Sequence, residues 1–275
     1  MNFLKEIFSK RNLVLLKEMV KTDFKLRYKG SVLGVAWSVI KPLALFVVMY
    51  MVFVRFLKMS DGTPTYPIVL LLGIGTWGFF TEATSSGLQS IVARGDLLRK
   101  IKFPKIIIVI STIISALISF FINFGIVVIA LIFYVIAGNA HLSFDLLWLP
   151  INIIELIMLA LGFALLLGAL YVKFRDISHI WDIVLQILFY AMPIIYPLSF
   201  VMKYSPFAAK MILMNPIAQT IQDLRHNLIS PTVSTVWNTL HFWPFQIIPI
   251  LISVGILVLG IFVFNKQSQK FAEEI

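Results

Sequence analysis

The chain has 275 residues, of which 60% are hydrophobic and only 13% charged, with a mean hydropathy of +0.95. Soluble domains carry about 25% charged residues, so this composition excludes a water-soluble globular protein and predicts an integral membrane protein. The net charge of +10 would suit nucleic acid, but the cations cluster between apolar runs, where the positive-inside rule accounts for them, and the absence of cysteine excludes disulfide and thiolate chemistry.

Residues 3 to about 28 precede the first apolar run. Leu4, Phe8, Leu15 or Leu16, Met19 and Val20 recur at helical spacing among Lys5, Lys10, Arg11, Lys17, Lys21, Lys25, Arg27 and Lys29. This basic amphipathic pattern predicts a helix lying in the membrane interface with its cations on anionic headgroups, or else packed on protein at the cytosolic face. No small-residue cleavage site precedes the apolar run that begins near Val32, so a secretory signal peptide is not expected.

A span needs roughly 20 apolar residues to cross roughly 30 Å of hydrocarbon. Six stretches qualify: 35–56, 66–80 with a polar continuation to about 91, 106–136, 147–172, 183–200 and 245–264. Gly73, Gly75, Gly78 and Glu82 make the second the weakest. The third is long enough to tilt, or to bend near Asn123 and Gly125, and Pro193 and Pro197 predict a break in the fifth. Six passages put both termini on one side. Of the 23 Lys and Arg residues, only Arg55, Lys58, Lys203, Lys210 and Arg225 fall on the opposite side, which makes the terminal side cytoplasmic.

The stretch 201–244 is too long for a simple turn. It holds Pro206, Asn215-Pro216, Pro231 and Pro244, with apolar pieces at 208–214 and 217–229 too short to cross. These read as half-helices re-entering the outer leaflet, tolerated where protein or a cavity surrounds them, or as a lid on the surface. The whole chain reads as one transmembrane domain over 1–275. Its parts are an interface helix at 1–32, spans one to five at 33–200, the external re-entrant region at 201–244, and the last span with a cytosolic tail at 245–275.

No GxxxxGK[ST] phosphate loop is present, so ATP is not expected to bind this chain in that manner. His141, His179, His226 and His241 lack HExxH spacing, and neither a metal site nor a catalytic residue is assigned. Glu82 and Glu155 lie within or near spans and either relay protons or sit at span ends or against a neighbouring chain. Among the aromatic residues, Trp37, Tyr50, Trp77, Phe79, Phe80, Phe189, Tyr190 and Tyr196 serve as packing or interfacial belts, or line a path for sugar rings along the broken fifth span.

The segment 94–105 is strongly basic between two very apolar runs. Arg94, Arg99, Lys100, Lys102 and Lys105 place it in water, while Leu97, Leu98 and Ile101 share one face of a short helix and Pro104 ends it. It reads as a docking surface for a cytosolic partner or as a loop that sets topology by charge.

Residues 23–42, with Arg27-Tyr28-Lys29-Gly30-Ser31-Val32-Leu33-Gly34 followed by Trp37 and Pro42, closely resemble the start of ABC type-2 polysaccharide exporter permeases. Three further resemblances follow in order: the segment 97–104 ending in Phe103-Pro104, Arg175-Asp176 after the fourth span, and Asn215-Pro216 in the outer loop. Lys41 departs from the small polar residue expected before Pro42, and puts a cation near the mouth of span one. The resemblance implies an all-α integral membrane protein in the cytoplasmic (inner) membrane, forming a homodimer with two ATP-binding cassette subunits that hold ATP and Mg, with no cofactor on this chain. It implies that Leu97, Leu98, Arg99, Lys100, Ile101, Lys102 and Phe103 form a coupling helix seated in a groove of the ATPase. It also implies a substrate entrance beside the N-terminal helix, where Arg27, Tyr28 and Lys29 would meet a lipid pyrophosphate, and a channel bordered by the first and fifth spans. Trp37, Tyr50, Phe189, Tyr190 and Tyr196 are the lining candidates. The substrate class so implied is polysaccharide on undecaprenyl pyrophosphate, O-antigen first, then capsule or teichoic acid. A drug or small lipid, or a membrane-embedded glycosyltransferase, are the alternatives.

Overall fold

In the computed structural model, residues 9–27, 30–140, 143–240 and 242–274 are described. Among them every regular element is a helix. The N-terminal amphipathic segment forms α1 (Lys10–Arg27), with Met19 buried and Leu15 and Leu16 packed against the main core. Its outer face, with Leu13 and Val14, remains exposed. Residues 3–8 of the expected helix fall outside the described residues.

The turn out of α1 explains the two glycines of the 27–34 run. Gly30 has φ +79° and Gly34 φ +50°, a left-handed backbone that only glycine adopts without steric cost. A 3₁₀ turn, Gly34–Ala36, then leads into α2 (Trp37–Met49), which tolerates Pro42 and continues as π-helical turns over Tyr50–Phe56. The second span is α3 (Tyr66–Ala93), followed by the short α4 (Gly95–Lys100) and the long α5 (Ile106–Ile136). α5 runs unbroken through Gly125, and Asn123 Nδ2 donates to Ser119 O at 2.8 Å and to Ser38 O at 3.0 Å, tying α2 to it. A 3₁₀ turn, Phe144–Trp148, opens α6 (Leu149–Lys173).

Among the described residues five helices are long and apolar enough to cross a membrane: Gly34–Phe56, Tyr66–Ala93, Ile106–Ile136, Phe144–Lys173 and Trp243–Ser268. The fifth expected span, 183–200, is divided. α7 (Ile177–Ala191) ends before Pro193, and α8 (Leu198–Tyr204) begins after Pro197. Tyr196 Oη donates to Ala191 O at 2.9 Å and to Tyr190 O at 3.3 Å, supplying partners for carbonyls that the helix end leaves free. Tyr66 Oη, at the start of α3, donates to Ile195 O at 3.2 Å. The interrupted stretch therefore carries the chain to the end of the bundle opposite α4, which is compatible with six passages.

Beyond it lie α9 (Pro206–Leu213), α10 (Pro216–Leu228), the one-turn α11 (Val236–Thr239), the last span α12 (Trp243–Ser268) and α13 (Phe271–Glu274). Three of the prolines that marked the outer loop, Pro206, Pro216 and Pro244, sit at helix starts, where a missing N–H costs nothing, and Pro231 lies in the turn after α10. Ser205 Oγ accepts from Ala208 N at 3.3 Å and Asn215 Oδ1 from Ile217 N at 2.9 Å, so Ser-Pro and Asn-Pro are N-caps followed by a first-turn proline.

From α3 onward, burial falls as hydropathy rises. α3, the least apolar of the five spans, is the most enclosed, while α12, the most apolar, faces largely outward. In hydrocarbon there is little hydrophobic gain from helix association, so small and polar side chains mark the interior and uniformly apolar ones the lipid face. Trp77, Phe79 and Phe80 lie on the buried side of α3, with Phe80 edge-on to Phe163 at 5.8 Å and near Trp181 at 6.3 Å. Trp181 Nε1 donates to Thr84 Oγ1 at 3.1 Å, which joins α7 to α3.

Candidate functional site

Two regions at opposite ends of the bundle combine polar chemistry with fixed geometry. At the first, α4 turns one face into the protein. Leu98 is 8% exposed and belongs to the main core, with Leu97 and Phe103 packed against it. Arg99, Lys100, Ile101 and Lys102 are exposed, forming a cationic ridge with one apolar side chain in it. The basic residues close the helix, where the dipole favours them, and Asp96 opens it.

Neighbouring helices hold α4 from both sides. Arg94, its N-cap, is ion-paired with Asp23 of α1 and donates to Ser111 Oγ at 2.8 Å, while Ser111 Oγ donates to Asp23 Oδ2 at 3.1 Å. Arg11 Nη2 reaches Lys102 O at 3.4 Å. On the other side Lys105 Nζ donates to Ser268 O at the end of α12 and lies 5.7 Å from the ring centroid of Phe271. Phe271 is fully buried and edge-on to Phe264 at 5.3 Å. Burial lowers the Lys105 pKa below a lysine's usual value, and Glu273 partly opposes the shift. α1, α4 and α13 thus sit at one end of the bundle as one packed unit.

At the opposite end α10 is amphipathic but buried on nearly every side. Gln219 and Asp223, one turn apart, face α6. Gln219 Nε2 donates to Glu155 Oε2 at 3.3 Å and to Asp223 Oδ2 at 2.6 Å, and Asp223 Oδ2 also accepts from Trp237 Nε1 at 3.2 Å. Gln222 and Arg225 face the other way. Arg225, 2% exposed, donates from Nε to Val69 O at 3.0 Å, from Nη1 to Pro193 O and to Gln222 Oε1 at 3.0 Å, and from Nη2 to Ile194 O at 2.7 Å. Its guanidinium lies against Gly73 of α3, in the space where any side chain there would begin.

Residues 14–229 match the ABC-2 type transporter family, most of the chain. The chain belongs to that family. It is similar to two curated O-antigen export system permease proteins RfbA from Klebsiella pneumoniae. These are 27% and 26% identical over 262 residues, each alignment covering 94% of both chains. It is also similar to an RfbA of that description from Myxococcus xanthus, 27% identical over 216 residues and 78% of each chain. The protein is accordingly a multi-pass membrane subunit of an ABC-2 transporter.

In this ABC-2 subunit the candidate coupling residues occupy one surface feature, with Leu97, Leu98 and Phe103 turned inward and Arg99 to Lys102 outward. The side chain of Arg27, and Tyr28 and Lys29, fall outside the described residues. Trp37 is exposed on α2, and Tyr50 stacks on Phe46 at 5.8 Å with Arg55 over its ring at 5.7 Å. Phe189 tilts against Trp77 at 6.1 Å while its neighbour Tyr190 is exposed. Tyr196 is committed to the backbone at the α7 break. The five aromatics therefore do not form one cluster within a single chain.

Sequence reading missed Arg225, Gln219 and Asp223 as a group. The spacing of 219 and 223 puts them on one helical face, but Glu155, their partner, stood isolated in a span more than sixty positions earlier. Glu155, expected to relay protons or to sit at a span end or against a neighbouring chain, is joined to Asp223 through Gln219.

Proposed function

We propose that the chain is the transmembrane subunit of an ATP-driven exporter carrying polysaccharide on undecaprenyl pyrophosphate, with O-antigen the first candidate cargo. It works in the cytoplasmic membrane as a homodimer with two ATP-binding cassette subunits, which supply ATP and Mg, and its termini lie in the cytosol. The supporting observation is the divided character of α4. Its cationic ridge projects outward, while its inner face and flanks are locked to α1, α5, α12 and α13. A push on Arg99, Lys100 and Lys102 by a partner closing on ATP reaches the spans through these side-chain contacts. The names of the K. pneumoniae and M. xanthus relatives support the O-antigen assignment.

Span α2 supports the dimer. Much of it is exposed within its own chain, and that exposed surface carries Lys41 and Trp37, side chains that the hydrocarbon interior disfavours. A second copy meeting this surface and the exposed side of α7 would enclose a path bordered by Trp37, Tyr50, Phe189 and Tyr190. Arg27, Tyr28 and Lys29 would receive the lipid pyrophosphate at its cytosolic mouth, arginine pairing well with phosphate.

Gentle detergent purification of the tagged chain from its own cells tests this. A stoichiometric ATPase subunit co-purifying with hydrolytic activity is expected. A stable lone chain with no associated hydrolysis overturns the two-subunit assembly.

A further inference from the structure

Between α1 and α5, at the end of the bundle that carries α4, lies an open groove of about 620 Å³. Leu16, Val20 and Phe24 of α1 form one wall, and Ile114 and Ile118 of α5 the other. Ser111 Oγ donates to Asp23 Oδ2 at 3.1 Å and Ser115 Oγ to Val20 O at 3.5 Å, so the packing of the two helices holds the groove open. Lys17, Lys21 and Lys25 also line it, all exposed and about one turn apart along α1.

The charge of this groove has one sign. Among the described residues none of the three lysines is ion-paired, and no carboxylate lines the groove. Asp23 is turned to Arg94 and Ser111, and Glu18 lies outside the lining. Like charges one turn apart on a helix repel, and an anion between them relieves the repulsion.

Its depth narrows the choice of anion. α5 begins at Ile106, directly after Lys105, so Ile114 and Ile118 lie about 12 Å and 18 Å along the helix, within hydrocarbon. A water-soluble partner cannot follow the groove there. A second copy of the chain seated symmetrically over it would set its own lysines against these three. A lipid brings both parts that the groove lacks, an anionic head for the rim and an apolar chain for the floor.

We propose that this groove binds an anionic glycerophospholipid. Its phosphate is held by Lys17, Lys21 and Lys25, and one acyl chain lies along Val20, Phe24, Ile114 and Ile118. A zwitterionic headgroup carries the same phosphate, but its own cation offsets the charge that the lysines select.

This inference needs only that the chain spans a membrane, and its test needs no transport. Native mass spectrometry of the full chain in detergent would follow titration with phosphatidylglycerol and with phosphatidylcholine of identical acyl chains. The first phosphatidylglycerol should bind about tenfold or more tightly than phosphatidylcholine, and rising ionic strength should shrink the difference. K17Q/K21Q/K25Q should bring phosphatidylglycerol down to the phosphatidylcholine level. I118W keeps every lysine but fills the groove, and should weaken phosphatidylglycerol binding several-fold. Both variants change exposed side chains, so thermal unfolding without added lipid should match wild type. Equal binding of the two lipids overturns the proposal, as does a preference that survives the triple change. A preference that survives I118W reduces the site to diffuse attraction by α1 and overturns it as well. Tighter binding of undecaprenyl phosphate than of phosphatidylglycerol would assign the groove to a cargo carrier instead.

Discussion

Arg225 of α10 donates through Nη2 to the backbone oxygen of Ile194 at 2.7 Å, inside the interruption between α7 and α8. The same guanidinium bonds Val69 O at the start of α3, so one side chain joins the half-helix, the broken passage and the central span. The proline break is stable because the carbonyls it frees receive fixed donors, from Arg225 and from Tyr196.

Replacing Arg225 should therefore destabilise this end of the bundle strongly. R225L leaves several buried carbonyls without donors and should cost about 3 kcal/mol or more. R225K keeps the charge but not the planar fork, and should recover only part of the loss. Thermal unfolding of the purified chain in detergent measures both, and wild-type stability in R225L would contradict the clamp.

Charge reversal on the outer ridge of α4 should separate folding from coupling. In R99E/K100E the exposed side chains change while Leu98 and the Arg94–Asp23 pair remain, so insertion and thermal stability should stay near wild type. Export of cell-surface polysaccharide and association with the ATPase should be lost. Retained export by the double variant would place docking elsewhere.

The Asp23–Arg94–Ser111 group should govern how firmly α1 is held. R94A removes the ion pair and the bond to Ser111, and should cost about 1–2 kcal/mol after allowing for partial exposure of both charges. Limited proteolysis should then cut within α1 at a protease dose that leaves wild type intact. Equal protection in R94A would show that Met19 and its apolar neighbours hold the helix alone.

Lys105 should leave a signature in alkaline stability. Its folded-state pKa is lowered, mainly by burial, so the unfolded chain binds more protons between the lowered value and the ordinary one. Stability then rises with pH through the range just below a lysine's usual pKa. K105M should flatten that rise, as followed by thermal unfolding across alkaline pH. An unchanged slope would assign the effect to another group.

Much of the architecture was legible because its causes are local. Apolar runs of spanning length became helices within a few residues of the expected bounds, and Asn215-Pro216 became a capped helix start. Pro193 and Pro197 broke the fifth passage as expected. The second span was underrated, since glycines and Glu82 weaken a hydropathy signal while marking the helix that other helices enclose.

By itself the sequence determined which segments enter the membrane, where the chain turns, and that the cations of 94–105 remain outside hydrocarbon. Those follow from periodicity, proline and glycine stereochemistry, and the cost of burying charge, all readable within a window of about twenty residues. Only the tertiary structure decided that Glu155 meets Gln219 across 64 positions, or that Arg225 serves Val69 across 156. Such meetings depend on how helices rotate and pack against one another, and a one-dimensional pattern carries little of that information. The same packing assigns Asp223 and Arg225, two residues apart, to opposite faces of one helix, one toward Gln219 and Trp237 and the other toward the backbone of a broken span.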